Sequence, residues 1–258
     1  MPEPDVIIEK EGYIGLITMN RPQDRNTFNV PFARALNDAL RKFDDDPQVR
    51  VLVLRANGKH FCTGISLAEF KDKSPLEYRE FIRKMDEHNH TIAHMKKPVI
   101  ASVQGLCLAN GAGLSFACDL TVAAEDARFG TTAINVGLIC LGPAAPLARM
   151  VGRKKVLEMV LTGDTISASE ALALGLVNKV VPKEQLEAAT MELAGKLAAK
   201  SPLALQAGKR GIYMTQDMPY EKGLDVLSGI FASICSTEDA EAGVQAFLEK
   251  KQPVWKGR

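Results

Sequence analysis

The sequence predicts an α/β chain, with a parallel-sheet core over residues 1–200 and a helical extension over 201–258. Three observations carry this. Apolar runs at 49–54 and 99–103 lack the polar alternation of a one-sided strand, so they read as strands buried on both faces. Strand-like and helix-like segments alternate through the first part of the chain. From residue 183 onward only helical pattern remains, interrupted at Ser201-Pro202 and Met218-Pro219. In order, 6–8 and 14–19 are β-rich runs around Lys10-Glu11-Gly12 and predict an opening hairpin. Asn29 caps a helix with Pro31 in its first turn, and Phe32, Leu36, Ala39, Leu40 and Phe43 follow at helical spacing. Residues 75–95 read as one mixed-charge helix carrying three histidines. Residues 108–117 read as a small-residue turn entering a helix, and 120–124 as a strand. Helices are expected at 144–151 and 154–161. Ser167 to Glu170 has the pattern of a capping box, Gly175 ends its helix, and 177–181 is a short strand.

Composition narrows the function. The chain has 258 residues, 46% hydrophobic and 24% charged, with a net charge of +1. That is ordinary globular material, without the field that recruits nucleic acid or an anionic membrane. No apolar run approaches the ~20 residues of a membrane span, and the first ten residues resemble no targeting peptide. Five cysteines, an odd number with no C-x-x-C spacing, predict free buried thiols and a cytoplasmic location. No metal site is indicated.

Five short motifs occur in a fixed order. They are Asn20-Arg21-Pro22 with Arg25-Asn26; Gly58 to Leu67 (GKHFCTGISL); the segment 97–130, with Lys97-Pro98-Val99-Ile100-Ala101 and Ala109-Asn110-Gly111-Ala112-Gly113; Leu161-Thr162-Gly163-Asp164 with Ala168 to Ala171; and Phe247 to Lys251. Together they resemble the crotonase, or enoyl-CoA hydratase/isomerase, family along nearly the whole chain. The resemblance implies a spiral of ββα units, homotrimers or hexamers built on the C-terminal helices, and an acyl-CoA ligand, with coenzyme A as part of the substrate and no bound cofactor. It also implies an oxyanion hole of two backbone N–H groups, those of Ile65 and Asn110. Donors at a helix N-terminus suit developing negative charge, and one contributes on the order of 3 kcal/mol to a transition state. Asparagine departs from the glycine usual at position 110. It tolerates left-handed backbone angles, and its side chain offers a donor to the pocket. By the same resemblance Arg25, Phe231 and Lys250 are the candidate CoA contacts.

The family's two usual glutamates fall at Gly113 and Ala133 of this chain. Positioned acid–base groups contribute ~10²–10⁴-fold each, so a replacement is sought. The helix before the Lys97 strand offers Asp86 and Glu87, with His88, His90 and His94 beyond. Asp86 falls closest to the base that some family members carry there, and a solvated helix face is the plain alternative. Buried cysteines without an activating base read as filler. Three functions stay open: an enzyme acting on an unsaturated acyl-CoA, by hydration, isomerisation or decarboxylation, with unusual acid–base groups; an acyl-CoA-binding protein without turnover; and a structural partner in a larger acyl-CoA complex.

Overall fold

A computed structural model describes residues 3–258. Strands β1 (Val6–Glu11) and β2 (Ile14–Met19) form the predicted antiparallel hairpin. The Asn29 side chain accepts from the Phe32 N–H at 2.8 Å and starts α1 (Val30–Asp45), as its sequence position predicts. Strand β3 (Val51–Ala56) follows, then α2 (Pro75–Met85) and α3 (Glu87–His94). The single helix expected over 75–95 is thus two, broken at Asp86, which is at once the C-cap of α2 and the N-cap of α3. Next come β4 (Val99–Val103), β5 (Leu106–Leu108), α4 (Asn110–Ala117), β6 (Leu120–Ala124) and β7 (Arg128–Gly130). Helices α5 (Leu141–Met150) and α6 (Arg153–Thr162), strand β8 (Thr165–Ser167), α7 (Ala168–Ala173) and β9 (Lys179–Val181) complete the core. Helix α7 opens with the expected capping box between Ser167 and Glu170. Helices α8 (Leu186–Ala198), α9 (Pro202–Thr215), α10 (Tyr220–Cys235) and α11 (Glu238–Leu248) end the chain.

The main sheet runs β1-β2-β3-β4-β6-β9, parallel from β2 onward. A smaller sheet, β5-β7-β8, stands apart from it. Alternate side chains divide β3 between two cores. Leu52 and Leu54 join Phe32, Leu36, Phe61, Ile92 and Leu114, whereas Val51 and Val53 join Ile100, Val122 and the apolar face of α8. Burial on both faces is the physical reason that the strand lacks polar alternation. Helix α9 is tied to this core by a buried ion pair. Lys209 Nζ donates to Asp119 Oδ2 at 2.8 Å and to the Lys97 carbonyl at 3.0 Å. Asp119 Oδ2 also accepts the Val99 N–H at 2.7 Å, so one carboxylate joins the end of α4, the start of β4 and α9. All five thiols are free. Four are buried, and Cys235 is exposed on α10, against the expectation of burial. Among the described residues no helix is long and apolar enough to cross a membrane.

Candidate active site

Backbone register brings the two predicted donors together. Cys62 pairs with Cys107 in an isolated parallel bridge, with Leu108 N donating to Cys62 O at 2.9 Å. Two residues on, Gly64 therefore lies beside Ala109. A Cβ built on Gly64 would sit 2.8 Å from the Ala109 Cβ and 3.7 Å from the Asn110 nitrogen. Gly64 has φ +108°, and Phe28 clamps the next step from the other side, donating to Gly64 O and accepting from Ser66 N, both at 2.8 Å. Among the described residues those bonds leave the Ile65 N–H between them unspent, and the Asn110 N–H opens α4 with no acceptor. Gly111 makes the approach possible, because any Cβ there would collide with the Cys62 carbonyl oxygen.

The left-handed backbone expected at Asn110 falls one residue earlier. Ala109 has φ 48° and ψ −122°, and Asn110 is not among the positive-φ residues. The turn into the helix has to be made before the first helical residue, so the strain sits on Ala109. This frees the Asn110 side chain for another task. It is buried, and Nδ2 donates to Met85 O at 3.2 Å and to Asp86 Oδ1 at 3.0 Å. The break between α2 and α3 thus turns the Asp86 carboxylate inward onto the start of α4. From above, the N-terminal segment of α5 closes over it, and a Cβ on Gly142 would strike both Asp86 carboxylate oxygens. Burial pushes the Asp86 carboxyl above its usual range, while the Asn110 bond and the nearby His90 pull it back. The Cys140 thiol lies against Ala133 and near Asp86, and burial keeps it protonated.

Glu87, the other acid–base candidate, faces away and forms an ion pair with Arg41. Its carboxylate lines an open cleft of about 570 Å³ together with Arg83, His90 and His94. His88 is buried against Phe28, with ring centroids 5.4 Å apart; among the described residues neither ring nitrogen has a hydrogen-bond partner, and burial lowers its pKa to about 4. Burial raises Cys62 to about 12, and Cys107 is also held well above the usual thiol range, so neither is a thiolate at neutral pH.

The position of Gly113 is closed by a residue that sequence reasoning missed. A Cβ there would lie 3.0–3.1 Å from the Pro143 ring and Cα. The pair Gly142-Pro143 was the available signal, a small residue and a rigid one at a helix start. Arg25 sits in a left-handed pair with Asn26 (φ 53° and 55°). The buried Asn26 amide donates at 3.0 Å to both Asn57 O and His60 O, fixing this loop to the 57–60 turn. Arg25, Lys59 and Lys183 act together on His60, which burial and these cations hold below its usual pKa. Phe231 on α10 and Lys250 in the turn after α11 are exposed, 69% in the case of Phe231. The fold thus brings Ile65, Asn110 and Asp86 together, turns Glu87 outward, puts Arg25 in a cationic loop, and leaves Phe231 on α10 and Lys250 in the turn after α11 exposed.

A sequence model of the family described as enoyl-CoA hydratase/isomerase matches residues 9–258. The 2,3-dehydroadipyl-CoA hydratase of Escherichia coli is 34% identical over 255 residues, covering 98% of this chain and 99% of that protein. Enoyl-CoA hydratase domain-containing protein 3 of Xenopus laevis, a mitochondrial protein, is 34% identical over 253 residues, covering 98% of this chain and 86% of the relative. Among solved structures, an enoyl-CoA hydratase of Mycobacterium smegmatis superimposes with a TM-score of 0.95 at 36% identity, covering 98% of this chain and 99% of the other. The spiral expected from the sequence is the fold of these relatives, and the chain belongs to the crotonase, or enoyl-CoA hydratase/isomerase, family.

Proposed function

We propose that this protein is an enzyme of CoA thioesters, an enoyl- or dienoyl-CoA hydratase or isomerase, in which Asp86 alone replaces the family's pair of glutamates. The observation that carries the reading is the inward Asp86 carboxylate, fixed by Asn110 on the same helix start that offers a free N–H. The Ile65 and Asn110 N–H groups hold the thioester oxygen as it gains charge, helped by the N-terminal dipole of α4. In hydration, Asp86 takes a proton from water as the oxygen bonds to the β carbon, then returns it to the α carbon. In isomerisation it removes a proton from one carbon of the allylic system and delivers it to another. Either cycle needs one carboxyl group that both accepts and releases a proton. Partial burial favours this by raising its pKa towards the working range. Gly113 and Ala133 offer no carboxylate, and Pro143 fills the space beside Gly113. The Arg25, Lys59 and Lys183 cations around His60 suit the phosphates of CoA. Phe231 and Lys250 would then serve a neighbouring subunit's ligand in a trimer or a pair of trimers.

The test is turnover of a panel of linear, branched and cyclic enoyl- and dienoyl-CoA thioesters, followed by loss of the conjugated thioester absorbance. Asp86→Asn is expected to lower kcat by roughly 10²–10⁴-fold while calorimetric binding of a saturated acyl-CoA persists. The vacant positions 113 and 133 favour one second reading, an acyl-CoA-binding protein without turnover. Saturable binding with no reaction across the panel would decide for it.

A further inference from the structure

We propose that Asn110 is a positioning residue that joins the two halves of the site: its main-chain N–H faces the thioester oxygen, and its side-chain amide sets the orientation of the Asp86 carboxylate. The inference rests on the reading of Asp86 as the proton-handling group. Three observations on the fold support it independently of that reading. The backbone at 110 places no demand for a special residue, since the positive φ is carried by Ala109. The amide is buried and both of its bonds go to the α2–α3 break, to Met85 O and Asp86 Oδ1. Gly142 then leaves no room for the carboxylate to swing towards α5. The carboxylate is therefore held between a donor on α4 and a backbone wall on α5.

A side chain this close to the oxyanion donors has a second consequence. Movement of the α4 start towards the substrate oxygen moves the carboxylate with it, because one residue supplies both contacts. The spacing between the oxyanion site and the proton carrier is then fixed by a single side chain ending in one planar amide, rather than by two loops moving separately. The groups that act on Asp86 are few. His90 lies one turn along α3 and favours the ionised form. On α4 the neutral Asn110 amide favours it too, and from the α5 segment the protonated Cys140 thiol and the Gly142 backbone face it. Glu87 is adjacent in sequence but is bound to Arg41.

Asn110→Gly keeps the main-chain donor and removes the amide. Asn110→Ala does the same with better helix propensity, and guards against a folding defect. In both variants kcat is expected to fall roughly 10- to 100-fold, with the Kd for butyryl-CoA nearly unchanged. The acidic limb of the kcat/KM profile should move to higher pH, because the ionised carboxylate has lost a donor. The same shift should appear in the titration of the Asp86 carboxyl by ¹³C NMR with labelled aspartate, assigned by its loss in Asp86→Asn. If Asp86→Asn abolishes turnover but the Asn110 variants keep the wild-type profile and Asp86 titration, the positioning role is overturned and the base assignment survives. If Asp86→Asn turns over normally, the base assignment fails, and the NMR titration still decides whether Asn110 controls the carboxyl. A butyryl-CoA affinity that falls in step with kcat in both Asn110 variants would point to a damaged oxyanion site and overturn the proposal.

Discussion

At residue 86, burial and hydrogen bonding act in opposite directions, and burial prevails. A carboxyl raised by burial is a local cost to the fold, since the folded state prefers the protonated form. That preference is fully present below the carboxyl's unfolded value and is lost as pH rises from there through the raised folded value. Above that window the burial works against the folded state, a common mark of a group kept for chemistry. Asp86→Asn is therefore expected to raise the melting temperature by a few degrees at pH 7, about 2–4 °C per kcal/mol for a chain of this size. Asparagine still offers an oxygen to the Asn110 amide, so the bond across the site survives. Near pH ~3.5, below the ordinary aspartate value, the gain should vanish. Thermal melts of both proteins at the two pH values check this. A variant less stable than the wild type at pH 7 would mean that Asp86 is a structural tie and nothing more.

Among the elements, helix α4 shows how tightly the site depends on backbone approach. All of its residues are buried, and its first turn rests on the Cys62 carbonyl, where Gly111 admits no Cβ. Gly111→Ala must push α4 away from the 61–65 loop and pull the two N–H donors apart. The expected cost is about 1–3 kcal/mol, with a loss of acyl-CoA affinity larger than the loss of stability alone would give. Gly195 in α8 is the control, since nothing lies within 4 Å of a Cβ there. Gly195→Ala should stabilise by about 0.5–1 kcal/mol and leave affinity untouched. Denaturant titration and calorimetry on the pair separate the two effects. Helix ends with local chemistry were legible in the sequence: Asn29 before α1, and Ser167 with Glu170 before α7. So were strands long enough to show a continuous apolar run. The strands β5, β7 and β8 were not, because three residues carry no period; β9 is as short but showed through the apolar run 177–181 after Gly175. The break at Asp86 was also hidden. Charged side chains continue through it with no Gly or Pro, and the reason for the turn lies in Asn110 and Gly142, which are distant in sequence. The donor loops were legible as motifs through the family resemblance, whereas the amide-to-carboxylate contact across them was a matter of packing alone.

Over the whole molecule, apolar surface is unevenly distributed. The main sheet and helices α1, α3, α4 and α8 bury most of their large side chains, whereas α5 and α6 expose Leu141, Leu157 and Leu161, and the C-terminal helices leave Ile212, Leu224, Phe231, Phe247 and Leu248 between 50% and 82% exposed. Single exposed apolar residues are ordinary, but so many on consecutive helices make a surface that a soluble monomer rarely carries. With a net charge of only +1 there is little repulsion to keep copies apart. The expected state is therefore a closed assembly of copies, a trimer or two trimers, formed largely through α9–α11. Closure also suits the candidate CoA contacts, since Phe231 is exposed on α10 and Lys250 in the turn after α11. Phe247→Asp combined with Leu248→Asp puts charge on that surface without touching Ile65, Asn110 or Asp86. Sedimentation should show the wild type at three or six times the 28.0 kDa chain mass and the variant at the chain mass. Affinity for free CoA should fall at least tenfold in the variant if a neighbour completes the nucleotide end, because a lost charge-assisted contact is worth about 1.5–3 kcal/mol. A monomeric variant with wild-type CoA affinity would confine the whole ligand site to one chain and remove Phe231 and Lys250 from it.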